Sequence, residues 1–320
     1  MRRKNELSVD ELKVIKADLS TDELTLTELI EAFLDDCKLR NLREHSIRYY
    51  RNELGMFKRL INTENIAEIT PTMIKNNVIR ALMDRGNKPV SINTRLRAIR
   101  VFFNFLVEQK YIKSSPMDSV SMLKHDKNKI QTLSIQQINE LLNACNLKTF
   151  VGYRDYTIIS LFIETGVRAL ELVNIDVYDV DLSRGMIRIK HPKSHLERNV
   201  PIQKSMREIL NRYMTIRGDL ETDRLFVTID GTPLSKRQMQ KRIEAYGKKA
   251  GIKGVRCSCH TLRHTFAKLC VLNGANAFQL QAILGHSTLD MTKIYVNLFG
   301  NEVIEGHKKF SPLQNIRRKK

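Results

Sequence analysis

Five residues in the C-terminal half carry chemistry at telling positions. Arg168 stands in TGVRALEL, His260 and Arg263 in HTLRHTF, His286 in LGHSTL, and Tyr295 nine residues beyond His286. Two guanidinium groups can grip the nonbridging oxygens of a phosphoryl group bidentately and stabilise the charge that builds up there during transfer. A tyrosine, whose pKa is about 10, becomes a nucleophile at neutral pH only beside a proton acceptor and a positive field. Each piece alone has an ordinary reading, since a lone tyrosine on an apolar helix is usually core and a Gly-His pair often only ends a helix. Arg168 is less ordinary. It follows Gly166, a helix-ending glycine, and sits at the mouth of a new helix near Ala169, where a cation is electrostatically misplaced unless an anion shares the site. Glu171 either pairs with it or holds a helix turn. His260 and Arg263, three apart on a helix, share a face, and His264 is a rival for any role given to His260.

The elements that must position these groups fall into two blocks. Thr27 is the expected N-cap of LTELIEAFLDDCK, with Leu26, Ile30, Phe33 and Leu34 at helical spacing. SIRYYRNELGMFKRLI, PTMIKNNVIRALMDR (opened by Thr70-Pro71) and INTRLRAIRVFFNFLVEQK (capped by Ser91 or Asn93) complete a four-helix unit over residues 24–112, after an N-terminal extension of residues 1–23. Residues 113–132 read as a polar, basic linker. From 133 to 310 the pattern is mixed: a helix opened by Ser134, a second ending at Gly166, a hairpin over residues 185–202, a short third strand at LFVTI with a turn at Asp230-Gly231, and helices from Ser235 onward. The expected fold class is a mainly α N-terminal four-helix domain plus an α+β domain, mostly helical with a small antiparallel sheet. Residues 311–320 form a basic tail.

The charge points to a polyanion. The chain of 320 residues holds 54 Lys and Arg against 35 Asp and Glu, a net charge of +19. The excess lies in both blocks, with 19 basic against 8 acidic residues in 37–130 and 30 against 17 in 131–320, as suits a clamp closing on a duplex from two sides. Arg95, Arg97 and Arg100 lie off the apolar face of the fourth helix with few acidic partners at i+4, and Lys236, Arg237, Lys241 and Arg242 crowd one later helix with Glu244 alone in opposition. Both sets are expected against DNA. No apolar run suits a membrane span or signal peptide, and five cysteines without repeated spacing do not suggest a disulfide framework; the expected compartment is the cytoplasm, at the nucleoid. Cys257-x-Cys259-His260 resembles half a zinc site without a second pair of ligands nearby.

The order Arg in TGVRALEL, Lys in a hairpin, HTLRH, LGH and a tyrosine nine residues later resembles the tyrosine recombinase (phage integrase) family, the chromosome-dimer-resolving and integrase-type site-specific recombinases. The resemblance covers residues 24–310. It implies a core-binding domain in the four-helix unit, a catalytic domain beyond the linker, paired arginines at Arg168 and Arg263, histidines at His260 and His286, and a nucleophile at Tyr295 that forms a 3′-phosphotyrosine link. His260 is then the expected general base, and His286 a phosphate ligand. The family hairpin carries a lysine before an Arg-x-Val-Pro strand; IKHPKSHLERNVPI lacks the usual glycines, and counting back from Arg198 lands on Lys193, with Lys190 second, as the acid that protonates the leaving 5′ oxygen. No metal, ATP or other cofactor is expected. The implied partners are double-stranded DNA bearing recombination sites, three further copies of the chain in a tetramer on paired sites, and an accessory DNA-bending protein or second recombinase. Val303, Ile304 and Phe310 offer a small apolar face for docking onto a neighbouring protomer. Two other functions remain open: a DNA-binding architectural or regulatory protein that kept the fold without the chemistry, and a relaxing enzyme like the type IB topoisomerases.

Overall fold

The structure, a computed structural model, describes residues 24–125, 130–190, 197–285, 288–289 and 292–295. The chain divides into two compact units, residues 1–128 and 129–320.

The first unit is the expected helical bundle. Helix α1 (Leu26–Leu39) is capped by Thr25, not Thr27: Thr25 Oγ1 accepts from the Glu28 N–H while the Glu28 carboxylate accepts from the Thr25 N–H, a reciprocal capping box. Thr27 instead donates to Glu64. Helix α2 spans Glu44–Ile61. The third helix, α3, opens at Thr70-Pro71 as expected; its ends, Pro71–Met73 and Ala81–Asp84, flank a wider π-helical stretch, Ile74–Arg80. Helix α4 (Pro89–Glu108) begins two residues before Ser91, because Pro89 supplies a preset first helical φ after Lys88. Asn93 is therefore inside the helix and buried, where its amide pairs with both backbone groups of Leu123, at 2.9 and 2.8 Å. That contact corrects the linker boundary as well. Met117 and Val120 are fully buried in the bundle's core with Phe33, Phe57, Phe102 and Phe103, so the chain past 113 belongs to the first unit through at least Leu123.

In the second unit, α5 (Ile135–Asn143) is opened by a Ser134–Gln137 capping box. Helix α6 (Phe150–Thr165), whose Ile158, Ile159, Leu161 and Phe162 are buried, forms the centre of the core and ends at Gly166 in the left-handed conformation. The short α7 (Ala169–Val173) leads into an antiparallel sheet of order β1 (Val180–Asp181), β2 (Met186–Ile189), β3 (Arg198–Pro201). The register Ile187↔Val200 and Ile189↔Arg198 puts Ile187, Ile189 and Val200 into the core and leaves Arg188 and Lys190 on the other face. Helices α8 (Lys204–Arg217), α9 (Lys236–Lys249), α10 (Cys259–Leu272) and α11 (Ala277–Leu284) follow. LFVTI is not the third strand. Leu225, Phe226 and Val227 are all fully buried, and the segment makes isolated backbone pairings with Ile175 and Leu234 instead of a ladder; the third strand is β1.

Candidate active site

The site is built around the C-terminal end of α11. Its last three carbonyls have no partner within the helix. Each accepts from an arginine of a different element: Ile283 O from Arg198 Nε at 2.9 Å, Leu284 O from Arg263 Nη2 at 3.0 Å, and Gly285 O from Arg168 Nη2 at 2.9 Å. A helix C-terminus carries partial negative charge, so three cations are welcome there. Gly285 ends the helix at φ +63, and a Cβ on it would lie 2.7 Å from Arg198 Nη1. The same economy of space governs Gly166. A Cβ there would meet Phe266 Cδ1 at 2.2 Å, and its carbonyl accepts the other Arg263 nitrogen, Nη1, at 2.5 Å.

The anion that Arg168 requires at the start of α7 is Glu171. Its carboxylate accepts the Arg168 N–H and Nη1, both at 2.9 Å, and Arg198 Nη1 and Nη2 at 3.1 and 2.8 Å. Burial pushes this carboxyl up, but the Arg198 fork and then the Arg168 donors outweigh burial and hold it at about 2. Arg168 keeps 32% of its side chain exposed, whereas Arg263 is buried, and its guanidinium falls to about 10 through burial and the neighbouring Arg168 charge. Arg263 remains a cation at neutral pH.

Tyr295 lies in the helical segment 292–295 and packs with Phe266, Ala267, Leu280 and Leu284, 5% exposed. Its hydroxyl is 2.7 Å from His264 Nδ1. Burial pushes the phenol up, and the charges of Arg263 and Arg168 partly offset this. Arg168, Arg263 and Tyr295 thus lie around the end of α11. Among the described residues, the histidine at the hydroxyl is His264, while His260, one turn earlier on α10, is exposed. Lys193 and His286 lie outside the described residues. Lys190, the second choice for the hairpin lysine, is tied by ion pairs of 2.9 Å to both Asp176 and Asp179, which raise its pKa.

The basic residues expected against DNA divide in two. Arg97, Lys236, Arg237 and Lys241 are exposed. Arg95 reaches Glu53 at 2.9 Å, Arg100 donates to Val120 O at 2.6 Å, and Arg242 holds Asp155 at 2.7 Å and lies 5.0 Å over the Tyr246 ring. This corrects the expectation that these three lack acidic or structural partners. Glu53, Val120 and Asp155 come from segments far away in sequence, which an i+4 count does not see. Cys257 and Cys259 are core residues, Cys257 packed against Gly247, and no group of three His, Cys, Asp or Glu among the described residues could hold a metal ion. Arg198 was missed as a site residue. The sequence marked it only as the first residue of an Arg-x-Val-Pro strand; its pairing with Ile189 and its hold on Glu171 come from the fold.

The sequence profile of the Phage integrase family matches residues 131–302, and that of the phage integrase N-terminal SAM-like domain matches residues 30–110. Among curated proteins, the chain is 31% identical over 297 residues to the tyrosine recombinase XerC of Thermodesulfovibrio yellowstonii, covering 89% of this chain and 96% of that one. It is 30% identical over 294 residues to the tyrosine recombinase XerD of Staphylococcus haemolyticus, covering 89% and 98%. Among solved structures, the Tn1549 transposon integrase in complex with transposon right end DNA shares the fold at a TM-score of 0.74 and 19% identity, covering 92% of this chain and 99% of that one. The fold and the site define a two-unit protein with paired arginines on the end of a helix against which a buried tyrosine packs, and the chain belongs to the phage integrase family. No helix among the described residues is long and apolar enough to cross a membrane.

Proposed function

We infer that the protein is a tyrosine-type site-specific DNA recombinase that cuts and rejoins strands through a 3′-phosphotyrosine intermediate. The observation that carries this reading is the convergence of Arg168 and Arg263 on adjacent carbonyls at the end of α11, against whose Leu284 Tyr295 packs. A protein that only binds DNA has no use for a tyrosine held beside two phosphate-gripping arginines. In the proposed reaction, Arg168 and Arg263 hold the nonbridging oxygens of the scissile phosphate, and Tyr295 attacks phosphorus. His260, exposed on the same helix, takes the phenolic proton as the general base, and His286 hydrogen-bonds the phosphate. Lys193 protonates the departing 5′ oxygen; Lys190, whose proton two carboxylates hold more tightly than usual, is a poor acid for that step. The phosphotyrosine keeps the energy of the broken ester, so the free 5′ hydroxyl of a second strand can reverse the step without ATP.

The DNA is a duplex carrying specific sites, touched by Arg97 from the first unit and by Lys236, Arg237 and Lys241 from the second. Four copies on two paired sites carry out the exchange in the cytoplasm, at the nucleoid, with residues 301–320, outside the described residues, docking onto a neighbouring protomer. An accessory DNA-bending protein or a second recombinase completes the assembly at some sites. The test is Tyr295→Phe on a nicked suicide duplex. The variant is expected to bind DNA within a few-fold of the parent and to trap no covalent adduct. An adduct formed by the Phe variant refutes the assignment and directs attention to another tyrosine. A plasmid with two sites then separates recombination from simple relaxation of supercoils.

A further inference from the structure

We propose that Arg198 is a positioning residue for cleavage: it holds Arg168 where that side chain grips the scissile phosphate, a role that rests on the reading of Arg168 as a phosphate ligand. Arg198 opens β3 on the strand's inward face, two residues before the buried Val200, and its side chain is 13% exposed. A charge on that face requires partners. It finds them on two other elements. The guanidinium forks onto both oxygens of Glu171 in α7, Nη1 to Oε1 at 3.1 Å and Nη2 to Oε2 at 2.8 Å, while Nε donates to Ile283 O in α11 at 2.9 Å.

The same two groups hold Arg168. Each Glu171 oxygen takes one donor from each arginine, since Oε1 also accepts from Arg168 Nη1 and Oε2 from the Arg168 N–H. Arg168 Nη2 rests on Gly285 O, two residues beyond the carbonyl that Arg198 holds. The contacts close a ring that runs from Arg168 to Glu171, to Arg198, to the end of α11 and back to Arg168. Both supports of the Arg168 side chain are thereby held by Arg198. A planar guanidinium suits this task, because its rigid fork sets the plane of the carboxylate and the place of the helix end at once, which a lysine ammonium, a point charge, does not. Arg168 keeps 32% of its side chain exposed and so is the outer member of the pair, the one that meets DNA. Arg198 also roots the second leg of the hairpin that carries Lys193. Its side-chain contacts lead to Arg168, and that is the route through which it acts on the chemistry.

The experiment is single-turnover cleavage of a nicked suicide duplex by the full-length chain, with two scissile groups compared. One is the ordinary phosphodiester; the other is a methylphosphonate, in which a methyl replaces one nonbridging oxygen and removes the charge that Arg168 stabilises. Arg198→Lys keeps a cation beside Glu171 but cannot span both of its groups. It is expected to cut the diester on the order of 10–10²-fold more slowly than the parent, the usual effect of a misplaced positioning group, and to come within about threefold of the parent on the methylphosphonate. Arg198→Met, which keeps the aliphatic stem and removes every donor, should show the same pattern with a larger loss. Arg168→Ala, with the phosphate ligand itself gone, supplies the reference pattern. Equal losses on the two substrates, or unfolding of both Arg198 variants by circular dichroism, overturn the proposal in favour of a purely structural role. Rescue of the Arg198 variants by a 5′-bridging sulfur, which leaves without a proton, overturns it in favour of action through the hairpin acid. A diester rate unchanged in both variants overturns it outright. Failure of the underlying reading looks different, because there Arg168→Ala itself cuts the diester at the parent rate.

Discussion

Replacing Glu171 by glutamine removes the carboxylate shared by Arg168 and Arg198. The carboxyl drops from an ordinary 4.5 to about 2 in the folded chain. At about 1.4 kcal/mol per tenfold change in proton affinity, that drop corresponds to about 3 kcal/mol of native-state stability. An acid whose folded pKa is depressed contributes this in full above its unfolded value, and loses it as the pH falls toward the folded value. About 1 kcal/mol therefore remains at pH 3. Glutamine keeps the shape but offers no charge, and its NH₂ would face a guanidinium, donor against donor. Removing one partner of a buried pair costs about 3–5 kcal/mol, which agrees with the titration argument. Urea unfolding followed by circular dichroism measures it. With a denaturant slope of about 2 kcal/mol/M, Glu171→Gln should unfold at a midpoint lower by about 1.5 M at pH 7, and the gap to the parent should narrow to about 0.5 M at pH 3. Equal midpoints at pH 7, or a gap that does not narrow in acid, refute the view that Glu171 acts through its charge. Cleavage should fall with stability, because Arg168 and Arg198 lose the group that aims them.

Gly285→Ala should destabilise the chain by about 1–3 kcal/mol, since it places a Cβ at φ +63 and 2.7 Å from Arg198 Nη1. It should depress suicide-substrate cleavage more than DNA binding; an alanine variant that cuts normally shows that Arg198 yields without cost. Lys190→Ala should cleave at close to the parent rate, and Lys193→Ala slowly, with a 5′-bridging sulfur restoring cleavage to the Lys193 variant alone. Rescue of the Lys190 variant by that sulfur reverses the assignment of the acid. DNA affinity should fall with salt along a log–log slope steeper than about −5, given six or more phosphate contacts. A fragment of residues 129–320 that shows the same slope as the whole chain indicates that the first unit does not touch DNA.

The sequence by itself determined the helices with strong periodicity, their stops at Gly166 and Gly285, the hairpin before Pro201, and the order of Arg168, His260, Arg263, His286 and Tyr295. These are local facts, because helix and strand periods, αL glycines and motif spacing are written within a few residues of one another. Only the tertiary structure decided what those residues touch. Asn93 reads as a possible cap and is a buried clamp on Leu123; Arg95 reads as an unpaired surface cation and meets Glu53 from another helix. LFVTI reads as a strand, yet it is buried with only isolated bridges, since a run of apolar residues reports burial and does not say which backbone will pair with it. The site follows the same rule. Spacing put His260 and His264 on one face and left the choice between them open, and it gave no sign that Arg198, thirty residues from Arg168, shares Glu171 with it. Hydrogen bonds between side chains and distant carbonyls depend on how whole elements pack, and packing is settled by the joint burial of many residues that no local window contains.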